Sequence, residues 1–111
     1  MATGILGTAD LAAGTWTNLY PVPATTFSVV SLSLVNRSNQ AVLVRVACTT
    51  ATTAPPSAPL NSEFIEYDVE ILAKGVLERT GIVMDAGKIL AVYTGSYGVS
   101  AVAFGIETST V

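Results

Sequence analysis

Apolar and polar residues alternate with a period of two through most of this chain, and that pattern restricts the fold more than any other feature. Residues 64–72 (FIEYDVEIL) show it best: Ile65, Tyr67, Val69 and Ile71 fall on one side, Glu66, Asp68 and Glu70 on the other. Residues i and i+2 share a face only in a pleated strand. In residues 40–48, Val42, Val44, Val46 and Cys48 alternate with Leu43 and Arg45. In residues 27–36, Val30, Leu32 and Leu34 share one face, opposite Ser31 and Ser33. Phe27 and Val29 join the serines, which implies that both sides of this strand are partly covered. Further strands are predicted over 76–84, 88–94 and 100–107. A shorter one over 17–22 ends at Pro21 and Pro23, as an edge strand would. No long segment carries a helical period.

Turn-forming residues separate these runs: Asn36-Arg37-Ser38-Asn39, Lys74-Gly75, Asp85-Ala86-Gly87 and Gly95-Ser96-Tyr97-Gly98. The first predicts a hairpin joining 27–36 to 40–48. The whole predicts an all-β chain: a single antiparallel β-sandwich or jelly-roll-like domain over 16–111. Two segments depart from the pattern. Residues 1–15 hold Gly4, Gly7 and Gly14, each costing a helix about 1 kcal/mol, and read as an extended N-terminal arm. Ile5 and Leu6 would anchor that arm to a neighbour, with Leu11 and Trp16 as further contact candidates nearer its root. Residues 49–61 (TTATTAPPSAPLN) carry Pro55, Pro56 and Pro59, which favour an extended path. This loop either reaches across to another subunit or lies in solvent.

With 111 residues the chain is one domain, long enough to bury a core without disulfides or metal. Half of the residues are hydrophobic and 12% are charged, against about 25% in soluble domains. A domain this small cannot hide so much apolar surface alone, so other subunits are expected to cover part of it, the alternative being a free monomer with a bland Thr/Ser surface. The net charge is −3, and the five cations (Arg37, Arg45, Lys74, Arg79, Lys88) are scattered. Neither a phosphate backbone nor an anionic membrane surface would be gripped by that arrangement. No run approaches the ~18 apolar residues of a membrane helix. The single cysteine, Cys48, allows no intramolecular disulfide and reads as a small buried hydrophobe. Met1-Ala2-Thr3-Gly4 lacks the basic start and apolar stretch of an export signal, so assembly in a cytoplasm is expected.

The sequence holds little that does chemistry. There is no histidine, hence no imidazole base, metal ligand or triad member. One cysteine without histidine leaves no zinc site and no Cys/His nucleophile. Lys74 and Lys88 sit beside turn glycines and read as solvated. The glycine-containing segments 7–14 and 95–98 lack the Gly-Lys-Ser/Thr ending of a phosphate loop. Asn36-Arg37-Ser38 matches a glycosylation triplet, a coincidence in a chain without an export signal. Neither an enzyme nor a cofactor nor a small-molecule substrate is expected. The row Glu66, Asp68, Glu70 is the one constellation to weigh. It could hold a cation, pair across strands with Arg45 or Arg79, or meet a basic patch on a partner.

Several stretches resemble a known family: Leu6-Gly7, residues 18–24 (NLYPVPA), Leu34-Val35-Asn36-Arg37, Ile65-Glu66-Tyr67-Asp68, residues 75–82 (GVLERTGI) and Phe104-Gly105-Ile106-Glu107. Over nearly its whole length the chain is similar to small β-sandwich virion structural proteins of tailed bacteriophages, of the capsid cement or decoration type. The shared pieces are strand entries, turns and inter-strand charges, so the resemblance brings no catalytic residues. It implies a homotrimer on the outer capsid surface that clamps neighbouring major capsid proteins. The same kind of sandwich occurs in tail, baseplate and fibre-adaptor parts, which is the alternative location. A third reading is a free carbohydrate-binding sandwich, for which Trp16, Tyr20, Tyr93 and Tyr97 are the candidate stacking rings.

Overall fold

The computed structural model describes residues 3–50, 59 and 61–110. Eight strands account for most of them: β1 (Thr3–Asp10), β2 (Thr15–Pro21), β3 (Thr26–Asn36), β4 (Val42–Thr50), β5 (Phe64–Ile71), β6 (Val76–Met84), β7 (Lys88–Thr94) and β8 (Val99–Ser109). A 3-10 turn, Asn61–Glu63, precedes β5. The strands form two four-stranded sheets, ordered β1-β8-β3-β6 and β2-β7-β4-β5. All pairings are antiparallel. Of the strands consecutive in sequence, only β4 and β5 are paired; each other connection passes from one sheet to the other. That interleaving is the jelly roll, and the all-β sandwich expected from the alternation is what forms.

On β3 and β4 the inward residues are those the period-two pattern selected. On β8 the alternation favours Val102, Phe104 and Ile106 as the apolar set, yet Ala101 and Ala103 face in and Phe104 and Ile106 face out. Val30, Leu32 and Leu34 of β3 and Ala101 and Ala103 of β8 pack against Val42, Val44 and Val46 of β4 and Leu90 and Val92 of β7. Each large aliphatic so buried stabilises the fold by about 1.5–3 kcal/mol. The two sheets share no strand ladder, so this dry seam is what joins them.

The described part of the segment read as an N-terminal arm belongs to the sandwich itself. Thr3–Asp10 is edge strand β1, in register with β8 from Thr3↔Ile106 to Asp10↔Ser100. Glycine breaks a helix far more than it breaks an edge strand, and here one glycine is required. β1 bulges between Ile5 and Gly7, and β2 bulges between Asn18 and Tyr20. A Cβ on Gly7 would collide with the Leu19 carbonyl, so only glycine lets the two edges close together there. Leu11, proposed from sequence as a partner contact, lies in the core at 3% exposure.

The predicted hairpin at residues 36–39 is also corrected. β3 and β4 lie in different sheets, and the segment between them crosses the end of the sandwich. Asn36 makes that crossing. Its side chain is buried, and Nδ2 donates to the carbonyls of Gln40 (2.7 Å), Ile71 (3.1 Å) and Leu72 (3.2 Å). Its Oδ1 accepts from the Ser38 amide (2.9 Å) and hydroxyl (2.7 Å). One amide thus ties the end of β3 to the approach of β4 and the exit of β5.

Away from that crossing, Tyr20 of β2 reaches over to the first sheet. Its hydroxyl is bonded to Ser28 Oγ of β3 at 2.6 Å and donates to Glu107 of β8. Tyr20 was a candidate stacking ring, but at 4% exposure it offers no face to a ligand. Burial foremost, then the bond to Glu107, pushes its hydroxyl up to about 12.

Two outcomes follow. Asn36→Leu strands the buried Ile71 carbonyl and removes the bonds to Gln40, Leu72 and Ser38, and should cost roughly 2–3 kcal/mol in urea unfolding, with an unchanged m-value. Because the folded form holds the Tyr20 proton more tightly, its contribution is complete below pH 10.0 and fades as pH rises toward about 12. Alkaline absorbance titration should therefore show a late tyrosinate step that Tyr20→Phe removes.

Candidate functional site

The outward residues divide the molecule into two unlike faces. On the first sheet, the β3 residues between the core positions point out: Phe27, Val29, Ser31, Ser33 and Val35. Cross-strand register sets Ile106 and Val83 beside Val29, Phe104 beside Ser31, and Ile5 beside Phe104. The result is one apolar patch running across all four strands. Val83 is 71% exposed, Ile5 69%, Ile106 55%, Val29 43%, Phe104 39% and Phe27 37%. Serine and threonine hydroxyls fringe it, and charge enters only toward its ends, with Glu78 beside Ser33 and Asp10 beside Ser100. Phe27 and Val29 were expected to be partly covered, and within this chain nothing described covers their outer side.

The outer face of the second sheet is aromatic and polar. Trp16 of β2 pairs with Tyr93 of β7, their rings 5.4 Å apart. Phe64 lies 5.7 Å from Trp16, and Tyr67 meets Phe64 edge-on at 5.0 Å. Arg45 of β4 completes the group, its guanidinium 4.4 Å from the Tyr67 ring centre and 5.5 Å from that of Tyr93. Asp68 takes Arg45 in a two-pronged grip, Nε to Oδ1 at 2.6 Å and Nη2 to Oδ2 at 3.3 Å. That hydrogen bond holds the Asp68 carboxyl below the usual aspartate range.

The acidic row of β5 does not survive as a row. A bulge sets the residues between Val69 and Glu66 against Arg45 alone, with Asp68 at φ +51°. The bulge turns Tyr67 outward, to 57% exposure, against the inward place its spacing predicts. Glu66 is turned the other way and meets Arg79 of β6 at 2.7 Å, an ion pair across the open edge between the sheets. Asp68 stays on the outer face, and Glu70 is in register with Leu43. Of the three readings of the row, cross-strand pairing is the one the geometry displays. Among the described residues no group of three His, Cys, Asp or Glu lies close enough to hold a metal ion.

The other sequence candidates scatter. Ile5 is on the apolar face, whereas Leu6 packs against the core and Trp16 is half-buried among rings. Pro59 is buried, and Pro55 and Pro56 fall outside the described residues. Cys48 packs against the core, where burial pushes its thiol up. Sequence reasoning missed the apolar face as a unit, although Phe27 and Val29 on the serine side of β3 were its visible trace.

Against this geometry, comparison with known proteins adds no relative. No family model, curated protein or solved structure matches the chain.

The Arg45–Asp68 grip can be checked directly. By carboxyl NMR, Asp68 should titrate below an ordinary aspartate. Arg45→Gln should bring it back up.

Proposed function

We propose that this chain is a structural subunit of a tailed-bacteriophage virion, a capsid cement protein that assembles as a homotrimer and clamps neighbouring major capsid proteins. One observation carries the assembly part: a charge-free apolar patch spans the outer face of the first sheet. Interface cores are depleted of charge in this way, and those of homo-oligomers are the more apolar. A chain of net charge −3 meets its own copy with least repulsion through a patch that carries none. Self-association is therefore the first use of this face. Trimerisation would then let weak contacts to a shell add up through effective concentration.

The virion part rests on the sequence resemblance and on architecture. Jelly rolls serve capsid and lectin domains alike, so the fold favours a shell protein by analogy only. A cement subunit needs a rigid body more than a reactive centre, and the reading assigns this protein no reaction and no cofactor. Its place would be the outer capsid surface.

Light scattering of the purified protein should give a mass near three times the 11.4 kDa of the chain. Val83→Asp, on the patch, should shift it to the monomer while circular dichroism keeps its β signature. A monomeric parent protein at high concentration would overturn the assembly reading. Labelled protein should decorate empty phage heads evenly. Label confined to tails would replace the cement role with a baseplate or fibre-adaptor role.

A further inference from the structure

Between the start of β4 and the end of β7, the outer face of the second sheet dips into an open depression of about 340 Å³. That is the small end of the range for ligand pockets. Leu43, Arg45, Asp68, Tyr93 and Ser96 line it. The ring group of Trp16, Phe64 and Tyr67 continues the surface away from Tyr93 and Arg45. Aromatic faces, a charged fork and an open shape thus come together at one place.

The chemistry of the fork selects the ligand. Arg45 spends Nε and Nη2 on Asp68, and its Nη1 hydrogens have no partner among the described residues. Asp68 keeps acceptor capacity beyond the two bonds it receives. Donors and acceptors therefore stand side by side, and the pair as a whole carries no net charge. An anion would be repelled by Asp68, and a cation by Arg45. A neutral polyol satisfies both, because each hydroxyl donates and accepts. Its C–H face suits the partly exposed rings next to the fork. The groups are also held in advance: Arg45 lies over two rings, and the β5 bulge fixes Asp68.

We propose that this depression is a binding site for a neutral saccharide, with Arg45 and Asp68 bonding its hydroxyls and Tyr93 supporting its apolar face. The site is on the opposite side of the sandwich from the apolar patch, so assembly through the patch leaves it open. It is independent of the virion assignment.

Trp16 is the chain's one tryptophan, and its ring lies 5.4 Å from that of Tyr93, so its fluorescence reports on the site. A neutral-glycan array is followed by fluorescence titration with its best hits and with maltotriose, chitotriose and lactose. At least one sugar should give a saturable change. Asp68→Asn should weaken it at least tenfold with an unchanged circular dichroism spectrum, since asparagine tolerates the positive φ that Asp68 adopts. Arg45→Gln, which keeps every ring, should do the same and carries the test should Asp68→Asn misfold. Two results would overturn the proposal. One is no array hit and no saturation up to about 10 mM, a concentration that detects even millimolar affinity. The other is binding that folded Asp68→Asn or Arg45→Gln leaves intact.

Discussion

Everything in this molecule depends on the dry seam between its two sheets. No strand ladder crosses it, so burial of Leu32, Leu34, Val44, Leu90 and their neighbours is the main force that holds the layers together. A seam of that kind is strong in its middle and exposed at its margins, where backbone and water meet. Those margins are where the polar devices are found. Asn36 closes one crossing with its side-chain amide, and Tyr20 bridges the sheets through Ser28 and Glu107. Along one open edge Glu66 pairs with Arg79, and along the other Gly7 lets β1 settle against Leu19. No buried side-chain nitrogen or oxygen among the described residues lacks a partner. Among the described residues the apolar seam is thus sealed without the cost of an unsatisfied polar side chain.

The same economy shapes the exterior. Four of the five cations are held in ion pairs: Arg37 with Asp10, Arg45 with Asp68, Arg79 with Glu66 and Lys88 with Asp85. The fifth, Lys74, donates to the Arg37 carbonyl. These charges occupy the ends, one edge and the aromatic face. The central outer face of the first sheet receives none. Low overall charge is therefore not spread as a thin coat but concentrated, and one side of the sandwich is left apolar. That division sets an apolar face opposite a polar aromatic one.

Much of this was legible before any coordinates. Alternation placed Val30, Leu32, Leu34, Val42, Val44 and Val46 in the core because the pleat enforces a period of two wherever one face is buried. The strands predicted over 76–84 and 88–94 coincide with β6 and β7, whose turn residues bound them sharply. Arg45 and Arg79 were named as partners for the acidic row, and each took one acid of it. The errors have separate physical causes. Tyr67 and Glu66 changed sides because a bulge inserts a residue without leaving a mark in the pattern. The Asn36 turn read as a hairpin because asparagine favours tight turns equally when the chain is changing sheets.

The sequence by itself determined that this chain is all β, which residues of β3 and β4 point inward, and that few charges are available for its surface. Those are local or compositional properties, set by the pleat and by the residue count. Tertiary structure alone decided which strands are neighbours, and with that everything assembled from several strands. Ile5, Val29, Val83, Phe104 and Ile106 are far apart in the chain and become one patch only when β1, β8, β3 and β6 lie side by side. Trp16, Arg45, Asp68 and Tyr93 converge in the same way on the other sheet. Strand order is a long-range choice made by the packing of the whole core, and no window of sequence contains it.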